Sequence, residues 1–220
     1  MFHLDRRNIY RANVLEELAW LEQGFGTRLS SHWPDTANLA TVQQIHSDKV
    51  LLADRAGPMG EGDALISNQP GITLSVRTAD CLPILMADTR NRAIAAVHAG
   101  WRGTIQEIVP KTIQAMADRF GTHPDDLVIA VGPGIGACCF EVGPEVAIQF
   151  AKVFPERTDL NQKTKVDLVE TNLRLLRRNG GSVRQIATSG LCTYCRPDLF
   201  HSYRRDGEAA GRMVSAIRIR

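Results

Sequence analysis

Residues 78–98 constrain the fold more than any other stretch. An apolar run over 82–87 and a second over 93–98 flank the polar residues Asp88-Thr89-Arg90-Asn91. Two strand-length apolar runs around a loop of that size predict a β-hairpin. Pairing Ala87 with Arg92 puts Cys81 opposite His98, and cross-strand neighbours have Cβ atoms about 4.5–5.5 Å apart. A thiolate and an imidazole at that distance can share a metal ion or act as nucleophile and base. A buried structural cysteine beside a hydrogen-bonded histidine is the plainer alternative. A register slip of one residue would separate the pair onto opposite faces.

Further short Ile- and Val-rich runs at 50–53, 72–76, 127–131, 183–187 and 213–219 read as strands. Between them, Ile105, Ile108, Val109, Thr112, Ile113, Met116 and Phe120 follow helical spacing. Thr104 and Glu107 form a capping box for this helix, Gly121 is its stop, and Pro110 predicts a kink or break. A second helix starts at Pro144, and a third starts at Asp167 and ends at Asn179-Gly180-Gly181. Residues 14–21 fit a short helix or a strand. No linker, low-complexity stretch or repeat divides the 220 residues, so one α/β or α+β domain with helices covering sheets is expected.

Lys plus Arg number 26 against 24 Asp plus Glu, a balance that gives no support for a nucleic-acid or membrane-surface binder. Hydrophobic residues are 44%, yet no run reaches the roughly 18 residues of a membrane span. Five cysteines, two of them adjacent, do not make a secreted disulfide scaffold. The expected setting is a reduced, cytoplasmic one.

Four other features bear on chemistry. His98-Ala99-Gly100-Trp101-Arg102-Gly103-Thr104 joins a strand to a helix, and N–H groups at a helix start beside an arginine suit a phosphate or carboxylate. Gly132-Pro133-Gly134-Ile135-Gly136 lacks both dinucleotide spacing and the Walker lysine, so it reads as a turn. Cys192-Thr193-Tyr194-Cys195 has no second C-x-x-C to complete a zinc ribbon, which leaves a structural or incidental role ahead of a redox one. His201-Ser202-Tyr203-Arg204-Arg205 and Gly211-Arg212 gather positive charge, either as a solvated face or as an anion wall.

The pieces T-A-D-C-L-P-I-L, V-H-A-G-W-R-G-T, G-P-G-I-G-A-C-C-F-E-V-G and S-Y-R-R with a later G-R occur in this order. Together they resemble the YfiH-type laccase-domain family over residues 24–220. Its members have been called polyphenol oxidoreductases or peptidoglycan editing factors, and later purine nucleoside phosphorylases with adenosine deaminase activity. The resemblance implies a single α/β domain over 1–220, with sheets sandwiched between helices in α/β/β/α-like layers. It also implies a zinc site formed by His46, Cys81 and His98, with one position open for catalysis. The substrates it implies are a purine nucleoside (adenosine, inosine or methylthioadenosine) and phosphate, with no nucleic-acid or membrane partner. Asp80, beside Cys81, is then a candidate proton carrier or orienter. Phe140, Trp101 or Tyr203 would stack on the base.

The chain departs from the family between Phe25-Gly26-Thr27-Arg28 and the histidine motif. Only residues 29–42 intervene, and the Asn-Arg pair common there is missing. Arg28, Arg77 and Arg102 are the candidate substitutes for phosphate binding. Three rivals stand beside the zinc reading. One is a metal-free cysteine hydrolase acting on cell-wall precursors, with Cys81 as nucleophile and His98 as base. A copper polyphenol oxidase ranks low, because a multicopper centre needs more than the six histidines present. The third is a binding module without turnover.

Overall fold

A computed structural model describes residues 1–178 and 183–220. In chain order its strands are β1 (Phe2–Leu4), β2 (Ile9–Ala12), β3 (Leu21–Gly26), β4 (Leu39–Gln43), β5 (Val50–Leu52), β6 (Gly57–Glu61), β7 (Ala64–Ser67), β8 (Thr73–Thr78), β9 (Leu82–Asp88), β10 (Ile94–Ala99), β11 (Leu127–Val131), β12 (Glu141–Val142), β13 (Thr164–Lys165), β14 (Gln185–Thr188) and β15 (Met213–Ile219). The helices are α1 (Asn13–Glu16), α2 (Trp101–Ile105), α3 (Ile108–Phe120), α4 (Pro144–Ala147), α5 (Leu168–Arg178) and α6 (Tyr203–Asp206).

The strands form a seven-stranded sheet in the order β1-β2-β3-β15-β8-β4-β6 and a six-stranded sheet in the order β14-β11-β9-β10-β7-β5, with β12 and β13 as a separate pair. The fold is mixed α/β, as the alternation of strand and helix patterns predicts. Strand alternation explains how the sheets stack. From the six-stranded sheet, Leu85, Ala87, Ile94, Ala96, Val128 and Ala130 turn inward to meet Phe25, Leu74, Val76 and Ile217 of the other sheet. The alternate residues Ile84, Met86, Ala95, Val97 and Ile129 face a second core containing Ile108 and Met116 of α3 and Leu175 of α5. The helical cover thus lies on the outer face of the six-stranded sheet. On the seven-stranded sheet, Trp33 reaches over Gly24 and Arg11.

The hairpin forms, but its register differs from the predicted one. Ala87 pairs with Ile94 and His98 with Pro83; continuing that register sets Cys81 opposite Gly100. The turn begins one residue later because the buried Asp88 carboxylate accepts the Arg90 and Asn91 N–H groups, an Asx-type turn. The displacement is two residues, so it preserves the face. Cys81 and His98 keep the parity that points toward the sheet–sheet interface.

The 105–120 segment is also corrected. Thr104 does not cap it: Thr104 lies inside α2, buried, with its N–H donating to Gly100 O. The helix breaks at Glu107, which is left-handed at φ 64, and α3 starts afresh at Ile108 without a side-chain cap. Pro110 therefore falls in the first turn of α3, where a missing N–H costs nothing and no kink is needed. Gly121 ends α3 in the left-handed conformation, as expected. Pro144 opens α4 at its first turn. Asp167 caps α5, its carboxylate accepting the Glu170 N–H. The predicted stop at Asn179-Gly180-Gly181 lies outside the described residues. Residues 14–21 divide between α1, a turn and the start of β3. The strand predicted at 183–187 is observed as Gln185–Thr188.

Candidate metal centre and active-site cleft

His98 is the last inward-facing residue of β10, and Cys81 lies just before β9. His46 reaches the same point from the loop after β4, in a left-handed conformation at φ 59. The ligand atoms of His46, Cys81 and His98 lie within 4.8 Å of one another.

Asp63 holds this arrangement together. It is fully buried and precedes β7. Its carboxylate accepts the N–H groups of Ile45 at 3.3 Å, His46 at 3.0 Å and Ser47 at 2.6 Å. It also accepts the Ser47 hydroxyl at 2.7 Å and His98 Nδ1 at 2.7 Å. One side chain therefore fixes both the backbone that presents His46 and the ring of His98. With Nδ1–H committed to Asp63, His98 keeps Nε2 as its free ligand atom, the orientation seen behind metal-binding histidines. Nothing in the local sequence marks Asp63; its role depends on partners 16 to 35 residues away.

The electrostatics follow from these contacts. Burial alone would raise the Asp63 carboxyl, but His98 and then the Ser47 donors hold it at about 2. Burial would likewise raise the Cys81 thiol, yet hydrogen bonds with His46 and His98 bring it down to about 7. His98 is pushed the other way: burial opposes its charge, while Asp63 and Cys81 lift it to about 9. The result at neutral pH is a thiolate paired with an imidazolium; a metal that displaces the His98 Nε2 proton meets thiolate and neutral imidazole, the donors that soft and borderline metals take.

Gly100 supplies the room. A Cβ there would come 3.0 Å from Cys81 Sγ and 3.3 Å from His46 Cδ2. Only a bare Cα leaves space beside the donors. The donor chemistry and this gap both fit a metal ion held by His46, Cys81 and His98.

The three residues line a cleft of about 1150 Å³, which exceeds the size of most small-molecule sites. Trp101, Phe140 and Tyr203 all line it, as do Arg77 and Arg102. The Arg102 guanidinium lies 4.4 Å over the Trp101 ring. Because α2 has five residues, the expected helix-start donors amount to little, and the anion-binding capacity rests on side chains. Arg28 is not among the lining residues; it donates to Pro197 O at 2.8 Å. Arg204 and Arg212 also line the cleft, so the basic C-terminal run forms a wall of it.

Asp80 lines the cleft beside Cys81. It is buried and left-handed at φ 85. Its carboxylate accepts the Thr193 hydroxyl at 2.6 Å, the Ser202 hydroxyl at 3.1 Å and the Arg204 N–H at 2.6 Å. Both oxygens are engaged in tying the C-terminal segment to the Cys81 loop, and the orienting of His98 belongs to Asp63 instead. The loop at 132–136 packs rather than cradles. A Cβ on Gly132 would strike Phe25, one on Gly134 would strike Leu82, and one on Gly136 would crowd Cys138 and Cys192.

Comparison with known proteins agrees with this fold and these motifs. The family described as multi-copper polyphenol oxidoreductase laccase matches residues 11–220. A purine nucleoside phosphorylase of Clostridium acetobutylicum is 35% identical over 187 residues, covering 84% of this chain and 78% of that protein. The purine nucleoside phosphorylase YlmD of Bacillus subtilis is 34% identical over 222 residues, covering 94% of this chain and 77% of that protein. The crystal structure of Bacillus licheniformis hypothetical protein YfiH superposes with a TM-score of 0.89 at 26% identity, covering 100% of this chain and 99% of that one. The chain belongs to the multi-copper polyphenol oxidoreductase laccase family, the YfiH-type laccase-domain family that its T-A-D-C and V-H-A-G-W-R-G-T motifs resemble.

Proposed function

We propose that this chain is a zinc-dependent purine nucleoside enzyme, one domain over residues 1–220, acting in the cytoplasm. It cleaves adenosine, inosine and methylthioadenosine with phosphate and deaminates adenosine. The observation that carries this reading is the meeting of His46, Cys81 and His98 in a cleft walled by aromatic rings and arginine side chains. The names of the relatives supply the substrate class.

Zinc suits two imidazoles and one thiolate with a fourth position open. Copper, which the family description names, fits less well, because the sequence has six histidines and a multicopper centre draws on more. Bound zinc supplies Lewis acidity and brings the pKa of water to about 7. The chain's own residues do the remaining work. Asp63 keeps the His98 proton on Nδ1. Phe140, Trp101 and Tyr203 offer flat faces for the purine. Arg77 and Arg102 hold the phosphate, Arg102 as a planar fork. In phosphorolysis a phosphate oxygen bonds to ribose C1′ as the C1′–N9 bond breaks, and the purine leaves with that electron pair and takes up a proton.

A second reading makes Cys81 a nucleophile and His98 its base, acting on an amide or ester of a cell-wall precursor. The low-lying Cys81 thiol favours it. It assigns no task to His46, which the metal reading does. The test is elemental analysis of purified protein, followed by incubation with the three nucleosides with and without phosphate, reading products by mass spectrometry. About one metal per cleft and free purine base only when phosphate is present support the proposal. Metal-free protein, or no turnover of any nucleoside, overturns it.

A further inference from the structure

Cys192-Thr193-Tyr194-Cys195 does find a partner pair. The turn at 137–139 brings Cys138 and Cys139 against it, and all four sulfurs lie within 4.8 Å of one another. We propose that Cys138, Cys139, Cys192 and Cys195 form a second, structural metal site for a thiophilic divalent ion of the zinc type, separate from the cleft donors.

Geometry favours a metal over a disulfide. A tetrahedral ion with metal–sulfur bonds of about 2.3 Å has sulfur–sulfur edges of about 3.8 Å. Cys138 and Cys195 sulfurs are 3.7 Å apart, and Cys139 and Cys195 sulfurs are 3.4 Å apart. A disulfide needs about 2.05 Å and pairs only two of the four. The Gly136 N–H donates to Cys192 Sγ at 3.2 Å, a backbone bond of the kind that supports a ligating thiolate. Gly136 is bare toward the cluster, since a Cβ would come 3.3 Å from Cys138 Sγ. All four positions are exposed or half-buried, so an ion can enter from solvent.

The position explains what such an ion would do. Gly134 pairs with Cys192, and the Thr193 N–H donates to Gly134 O at 2.9 Å. The cluster therefore joins two loops. One carries Ile135 and Phe140 into the cleft wall. The other reaches Asp80 through Thr193. An ion there locks the far wall of the cleft, whatever reaction the cleft performs.

The test uses the full chain purified under reductant. Metal content by plasma mass spectrometry and native mass spectrometry is expected to give two ions per chain. Cys195→Ser is expected to keep one, and His98→Ala to keep the other. Zinc X-ray absorption on the unmutated protein reads the same point without relying on the folding of a variant. Two filled sites give a sulfur-dominated first shell. A nitrogen-dominated shell overturns the proposal. One ion per chain, lost in His98→Ala and kept in Cys195→Ser, overturns it too. So does a disulfide among these four residues in protein prepared under reductant.

Discussion

Replacing Asp63 by Asn tests the whole reading of the centre. Asp63 accepts five hydrogen bonds through two oxygens; an amide offers one oxygen and one donor group. Whichever way it turns, its NH2 faces N–H groups that had an acceptor. If the NH2 meets His98, Nδ1 must become the acceptor and the proton moves to Nε2, the atom left free for a metal. A charge-assisted hydrogen bond is worth roughly 1.5–3 kcal/mol. Independently, a carboxyl lowered from 3.8 to about 2 stabilises the fold by about 2 kcal/mol at neutral pH. A loss of about 2–3 kcal/mol lowers Tm by roughly 4–12 °C for a chain of this size. Metal affinity should fall by roughly 10- to 100-fold. Because the Asp63 pKa is depressed, its stabilisation is complete above the unfolded value of 3.8 and is lost as pH falls through about 2. Wild-type Tm should therefore drop across that interval by more than the variant's. The measurements are thermal unfolding from pH 2 to 7 and competition with a chelator. An Asp63→Asn protein with unchanged melting temperature and unchanged chelator resistance would refute the reasoning.

Gly100→Ala should cost at least about tenfold in metal affinity, since the new methyl would press on Cys81 and His46; full metal content in a folded variant would show that the site has more room than described. Arg102→Ala should lower phosphate-dependent turnover by on the order of tenfold to a hundredfold with Tm nearly unchanged, and Arg102→Lys should restore only part. Unaltered phosphate dependence would place the anion elsewhere, with Arg77 the next residue to vary. Asp88→Ala removes the acceptor for Arg90, Asn91 and the Asn91 side chain. It should destabilise by about 2 kcal/mol, read as a Tm loss of roughly 4–8 °C; a neutral result would mean that the hairpin turn does not depend on it.

What was legible in the sequence was local. The strand at 127–131 follows from an unbroken apolar run and that at 213–219 from an apolar run interrupted by Ser215 and Arg218, and the observed bounds coincide. The Pro144 start and the Gly121 stop follow from a missing N–H and a missing Cβ. The closeness of Cys81 and His98 was legible too, and it survived a register displaced by two residues because side chains alternate with period two. Thr104 misled, since T-x-x-E looks like a cap wherever it falls, while a left-handed Glu107 moved the helix start beyond it.

The rest belonged to tertiary structure. Asp63 draws together His46, from the loop after β4, and His98, from the end of β10. Cys138 and Cys139 meet Cys192 and Cys195 only because the loop after β11 lies beside the one after β14. Which arginines reach the cleft, Arg77 and Arg102 rather than Arg28, is likewise a matter of where the sheets end. Periodicity and caps act over a few residues, where backbone geometry dictates them. A site assembled from separate strands and strand connections depends on how two sheets pack, and that packing is set by the summed burial of the core.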